Sequence, residues 1–151
     1  MLLKIITAQE ARTVRHAVLK PDRPYEEIIY PGDDDPSTLH LGLVEDNQLI
    51  GVATLILDAC PVNGQANDWR LRGMATLERV RNRGVGGLLL SRCIEYAREQ
   101  GGSRVWCNGR TLARRFYERH GLQPVGAEFI NPHTGPHYLF VLDLNDKISR
   151  A

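Results

Sequence analysis

Arg81-Asn82-Arg83-Gly84-Val85-Gly86-Gly87 is the stretch on which the reading of this sequence turns. It follows an apolar run at residues 69–77 that suits a strand. It precedes residues 84–100, where Leu89, Leu90, Cys93, Ile94 and Ala97 recur three or four apart, as on one side of a helix. In that setting the glycines let backbone N–H groups converge on an anion and the helix N-terminus adds its partial positive charge, while Arg81 and Arg83 bring donors close by. The segment therefore predicts a phosphate or pyrophosphate site. For a lone Gly-x-Gly a plain tight turn would be the better reading, and the flanking elements and two arginines weigh against it here. Two other phosphate motifs do not fit. Leu89 stands where the dinucleotide fingerprint needs a third glycine, and the Gly-Lys-Ser/Thr of a Walker loop is missing.

Upstream, Leu2, Leu3, Ile5 and Ile6 suit a first strand, and residues 9–19 carry Ala11, Val14, Arg15 and Val18 at helical spacing. Residues 20–38 hold Pro21, Pro24, Pro31, Gly32 and Pro36, which favours loops and at most a helical turn at 25–29. The acidic run Asp33 to Asp35 within it reads as a solvated loop that could attract a cationic acceptor. Apolar runs at 39–44 and 49–57 flank Glu45-Asp46-Asn47-Gln48 as a hairpin, and a polar loop with Gly64 follows at 61–68. Downstream, Gly101 and Gly102 end the long helix in left-handed conformations, and residues 104–108 make a short strand. Thr111 is placed to cap a helix at 112–120, whose Ala113, Phe116, Tyr117 and His120 share a face and which Gly121 ends. Runs at 125–130 and 137–144 flank a turn-rich 131–136 and read as a closing hairpin. Strands and helices alternate between an early and a late hairpin, which predicts an α/β or α+β fold around a mixed sheet.

A chain of 151 residues suits one domain, residues 1–151, with a real core. At 42% apolar and 25% charged residues the composition is that of a globular protein, and a net charge of +1 gives no ground for a general affinity for nucleic acid or acidic membranes. Cys60, Cys93 and Cys107 are odd in number and lack Cys-x-x-Cys spacing, so they read as small buried residues; neither a disulfide framework nor a metal site is expected. The first fifteen residues carry regular charges and no apolar signal core, and no stretch approaches a membrane span, so a cytoplasmic protein is expected.

The glycine segment resembles the acetyl-CoA signature of the Gcn5-related N-acetyltransferase (GNAT) superfamily, Gln/Arg-x-x-Gly-x-Gly/Ala, matched by Arg81, Gly84 and Gly86. Residues 113–122 are similar to that family's A-x-x-F-Y-E-x-x-G-F segment, and Gly135-Pro136-His137-Tyr138 resembles a turn of a bacterial subgroup whose substrates are generally unassigned. The resemblance is close over 69–144. Upstream it rests on element order alone. It implies the GNAT fold: a mixed sheet of about seven strands, helices on both faces, splayed between the fourth and fifth strands. It also implies a metal-free acyltransferase that carries an acetyl group from acetyl-CoA to a primary amine, small molecule or protein, by direct attack in a ternary complex. Met74, Ala75 and Thr76 would pair with the pantetheine arm, and Asn82, Arg83, Gly84, Val85, Gly86 and Gly87 would cradle the pyrophosphate beside Arg81. Tyr117 would protonate the leaving thiolate. Where the family often has an asparagine, seven residues before that tyrosine, this chain has Arg110, with Asn108 nearby.

The acceptor side is less marked. His40, His120, His133, His137 and Glu128 have the chemistry of a general base, and His40 and His137 stand where an acceptor pocket could form. A CoA-binding sensor without acyl transfer is the alternative reading. The late hairpin leaves a sheet edge through which a second copy could pair as a homodimer.

Overall fold

Two successive left-handed residues, Asp46 (φ 52°) and Asn47 (φ 63°), turn the first hairpin. Asp and Asn tolerate this conformation better than most side chains, and a tight turn of this kind matches the twist of the strands it joins. Those strands are β2 (Leu39–Glu45) and β3 (Gln48–Leu57), and β1 (Leu2–Ile5) runs antiparallel to β2. The structure, a computed structural model, describes residues 1–144. Its other elements are α1 (Ala8–Leu19), β4 (Asp68–Thr76), α2 (Val85–Glu99), β5 (Arg104–Arg110), α3 (Arg114–Arg119), β6 (Gln123–Asn131) and β7 (Gly135–Asp143). The sheet has seven strands in the order β1-β2-β3-β4-β5-β7-β6. Its β4–β5 pairing is parallel and covers three residue pairs, Asp68 to Arg70 against Arg104 to Trp106, which is the splay expected between the fourth and fifth strands.

The chain divides into two compact units. The first comprises residues 1–56 and 71–93. Thr7 caps α1 with a reciprocal pair of bonds, its hydroxyl accepting from the Glu10 amide at 3.1 Å while Glu10 accepts from the Thr7 amide at 2.9 Å. Ala11 and Val14 of that helix pack with Ile6, Val52 and Ala75. On β3 the next residue back, Gly51, points the other way, where an added Cβ would sit 2.7 Å from Val85 and 3.0 Å from Leu89 of α2. The two helices therefore cover opposite faces, and β3 is buried continuously from Ile50 to Ile56 because neither face meets water.

Beneath α1 lies a charge cluster that the loop reading of residues 20–38 does not anticipate. Asp33 is buried, and Arg15, fully buried, donates to it at 2.7 and 2.9 Å while also reaching the Ile28 carbonyl and the Thr54 hydroxyl. Arg12 and the Tyr30 amide donate to the same carboxylate at 3.2 and 3.0 Å. Tyr30 in turn lies under the guanidinium groups of Arg15 and Arg72, at 4.3 and 4.0 Å. The proline-rich segment is thereby tied down at both a charge and a ring.

The second unit comprises residues 57–70 and those from 94 on. Asp68, fully buried, accepts from the Cys60 and Gln65 amides at 3.0 and 2.8 Å and from Arg104 at 3.1 and 2.8 Å. Arg104 also donates to the carbonyls of Val62 and Asn63, so one ion pair shapes the whole loop before β4. Three local expectations change here. Of the two glycines after α2, Gly101 alone is left-handed (φ 74°); Gly102 is there for room, since a Cβ would sit 2.8 Å from the Trp69 ring. β5 continues through Gly109 to Arg110, because Asn108, Gly109 and Arg110 pair with Leu139, Tyr138 and His137 of β7. Thr111 makes no helix cap; its hydroxyl donates to Glu128 at 2.7 Å, and a 3-10 turn at Thr111–Ala113 leads into a shorter α3.

Asp33→Asn leaves the Arg15 guanidinium buried without its carboxylate, and urea unfolding is expected to show a loss of about 3–5 kcal/mol. Burial pushes the Asp33 carboxyl up, but the bonds from Arg15, the Tyr30 amide and Arg12 hold it below its ordinary range. A carboxyl depressed in the folded state stabilises above its unfolded value of about 3.9 and loses that contribution as pH falls through the folded value. Wild-type stability is therefore expected to drop steeply below about pH 4, with a shallower acid slope in the variant.

Candidate active site

Between β4 and α2 the backbone is pinned at two buried valines, Val80 and Val85, and lies exposed between them. The Leu77 amide donates to the Ile50 carbonyl at 2.9 Å, and a 3-10 turn at Glu78–Val80 brings the chain to Arg81. Asn82 (φ 67°) and Gly84 (φ 79°) are both left-handed, so the chain doubles back twice before the helix begins. Leu88 donates to the Gly84 carbonyl at 3.1 Å. Helix geometry leaves the N–H groups of Val85, Gly86 and Gly87 without intrahelical acceptors, at the positive end of a fifteen-residue dipole. Gly86 and Gly87 are half-buried on that first turn.

Of the two arginines expected here, Arg83 is engaged: both its terminal nitrogens reach Glu45 in the first hairpin, at 3.1 and 2.7 Å. The pair raises the guanidinium and lowers the carboxyl from their ordinary ranges. Arg79 donates to Gln48 of the same hairpin at 2.5 Å. Arg81 is exposed. In β4, Ala75 is buried in the α1-side core, while Met74 and Thr76 are half-buried. Gly73 precedes them with φ 60°, and an added Cβ there would press on Arg15 and Tyr30. A glycine inside a strand pattern is the signal that could have flagged this position.

In the second unit, Tyr117 of α3 is half-buried against β5 and β7. Its ring stacks on Phe140 at 4.6 Å, touches Phe116 at 5.3 Å, and covers Gly109 so closely that any Cβ there would overlap it. Burial, then the Cys107 neighbour, raises the phenol above the ordinary tyrosine range. Cys107 and Gly109 fall on one face of β5 because they are two residues apart. Neither stands out in sequence as part of a tyrosine site.

Both nitrogens of His40, in the first unit, are occupied: Nε2 donates to the Asp33 carbonyl and Nδ1 accepts from the Thr54 hydroxyl, each at 2.8 Å. In the second unit, His137 Nδ1 donates to the Gly135 carbonyl at 2.8 Å and Nε2 faces the Thr134 hydroxyl at 3.3 Å. His120, the residue after α3, donates to the Phe116 carbonyl, and Glu128 holds Thr111. Arg110 and Asn108 are exposed on β5. Among the described residues, no group of three or more His, Cys, Asp or Glu side chains is placed to hold a metal ion, and no helix is long and apolar enough to cross a membrane.

The sheet has seven strands of mixed direction with a short parallel pairing between the fourth and fifth, and an exposed amide loop opens the helix after the fourth, which is the GNAT fold. The chain belongs to the acetyltransferase (GNAT) family, whose sequence profile matches residues 6–122. It is 33% identical over 135 residues to an uncharacterised N-acetyltransferase, YitI, of Bacillus subtilis, covering 89% of this chain and 91% of that one. Escherichia coli ElaA has a similar fold, with a TM-score of 0.77 at 17% identity over 94% of this chain and 99% of that one. So has an aminoglycoside 6′-N-acetyltransferase complexed with coenzyme A, with a TM-score of 0.75 at 13% identity over 95% and 97% of the two chains.

Gly109→Ala forces the Tyr117 and Phe140 rings apart, and its expected cost in urea unfolding is about 1–3 kcal/mol.

Proposed function

We propose that this chain, acting as one domain, transfers the acetyl group of acetyl-CoA to a primary amine by direct attack in a ternary complex. The loop at 81–87 carries this reading: exposed amides, two left-handed turns and a helix N-terminus form the kind of surface that holds a pyrophosphate. The similarity in fold to an aminoglycoside acetyltransferase complexed with coenzyme A supports it. In this reading the amides of Asn82 through Gly87 cradle the pyrophosphate and Arg81 adds charge. Arg83 exchanges Glu45 for a phosphate oxygen. The backbone of Met74, Ala75 and Thr76 pairs with the pantetheine arm, and an N–H at Met74 or Ala75 donates to the thioester oxygen as its charge develops.

The amine lone pair forms the C–N bond, the C–S bond breaks, and the sulfur leaves as a thiolate. Tyr117 gives that sulfur its proton and recovers one from solvent, while the nitrogen loses its surplus proton to water. A phenol raised above its ordinary range keeps its proton at neutral pH, as an acid must. His40 and His137 are the residues proposed for the acceptor side; both ring nitrogens of each are engaged, so neither is given a proton-transfer role. The acceptor is a primary amine, on a small molecule or a protein. Exposed Phe129 and Ile130 on β6, the last strand in the sheet order, support pairing with a second copy.

Calorimetric titration is expected to show acetyl-CoA binding by the wild type and a loss of roughly tenfold or more in Gly86→Glu, whose carboxylate would meet the pyrophosphate. Absence of binding by the wild type would sink the reading. Binding without thiol release across a panel of primary amines would mark a sensor instead. With an acceptor in hand, Tyr117→Phe is expected to lower kcat by about 10²-fold with KM for acetyl-CoA nearly unchanged; unchanged turnover would remove Tyr117 as the acid.

A further inference from the structure

Two arginines on the way into the glycine loop are tied to one rung of the first hairpin. Glu45, the last residue of β2, stands opposite Gln48, the first of β3, so their side chains lie on the same side. Glu45 accepts from both terminal nitrogens of Arg83, at 3.1 and 2.7 Å, and Gln48 accepts from Arg79. Arg81, midway between them in sequence, has no side-chain bond among the described residues. The two ties differ in kind. An amide holds Arg79 without charge, whereas a carboxylate offers Arg83 the paired oxygens and negative charge that a pyrophosphate would offer it. The Glu45 and Arg83 side chains are 23% and 43% exposed, so the arginine can change partner without leaving a charge buried and unmet.

We infer that Glu45 is a built-in competitor for the pyrophosphate: it occupies Arg83 in the free protein, and a ligand gains that arginine only by displacing it. This rests on the proposed binding of acetyl-CoA at the loop. A carboxylate fixed in the same unit cannot diffuse away, so its effective concentration at Arg83 is constant. It lowers the apparent affinity according to the share of molecules in which it holds the arginine. An exposed ion pair shifts an equilibrium by about two- to fivefold, so Glu45 tunes binding and does not block it. The Gln48 amide carries no charge for an arriving anion to repel. The Arg79 tie therefore remains when Arg83 leaves, and the chain before the loop keeps its place at the hairpin. After acetyl transfer the same carboxylate faces CoA, and by recapturing Arg83 it favours departure of the product.

The test is calorimetric titration with CoA of the wild type, Glu45→Gln, Arg83→Met and the double variant. Glu45→Gln keeps the shape of the side chain, removes its charge, and is expected to tighten CoA about two- to fivefold. Glu45→Ala is expected to tighten it in the same direction, which guards against a folding failure in either variant alone. Arg83→Met is expected to weaken CoA. Adding Glu45→Gln to Arg83→Met is expected to change the affinity by less than the same substitution does in the wild type. Weaker binding by Glu45→Gln overturns the inference, because the carboxylate then aims the arginine at the ligand. Unchanged binding overturns it as well, because Arg83 then never leaves Glu45. An equal tightening in both backgrounds is a third way for it to fail, since Glu45 would then act by repelling the anion directly and not through Arg83. In all three cases the measured binding of CoA upholds the cofactor site. No binding by the wild type removes that site and the inference together.

Discussion

A carboxylate cannot remain ionised away from water unless its charge and lone pairs are met where it lies, and Asp33 is met from three directions. Arg15 reaches it from α1 while also gripping the Ile28 carbonyl and the Thr54 hydroxyl. One guanidinium therefore joins the helix, the irregular segment after it and the strand β3. His40 bonds the Asp33 carbonyl and the same threonine, so β2 enters the network as well. The core of Ile6, Ala11, Val14, Val52 and Ala75 supplies the apolar burial of this unit, but apolar burial is indifferent to direction. The ion pair supplies the direction, and with it the placing of Tyr30 beneath Arg15 and Arg72.

The second unit has a counterpart in Asp68 and Arg104, which draw the loop before β4 onto β5 through side-chain and carbonyl bonds alike. Each pair sits next to a segment of the proposed site: one backs Gly73 of β4, the other opens β5, which carries Gly109 under the Tyr117 ring. Charges held by several bonds each leave the backbone beside them little freedom. That suits an activity whose anion contacts come mainly from main-chain amides, which cannot re-aim themselves as long side chains can.

How much of this was legible depends on how far apart the interacting residues lie. The Asp46-Asn47 turn, the capping of α1 and the alternation of strand and helix are written over four to fifteen residues, and they appear where local pattern places them. The glycine loop is equally local. Which of three consecutive aspartates is buried is not a local property, since Asp33 is selected by Arg15, eighteen residues earlier. An arginine among Ala11, Val14 and Val18 on an apolar face was the available signal. Thr111 fits a cap by position and is taken instead by Glu128, seventeen residues on, an interaction with no trace in the helix pattern. At the site, Tyr117 could be picked out by family resemblance, but its seat on Gly109 and Cys107 needs the register of β5 against β7 and the docking of α3.

Two glycines of the proposed machinery owe their identity to different causes. At Gly109 there is no volume for the Cβ of an ordinary residue. At Gly84 there is open space on all sides of the missing Cβ, and only the sign of φ excludes ordinary residues. The first constraint is one of size and the second one of chirality. A D-alanine built into a synthetic chain would thus match the backbone at position 84, where an L-alanine is opposed by φ alone, whereas at 109 an L-alanine is opposed by the rings it would meet; the loop's shape is kept by handedness and the tyrosine's seat by bulk.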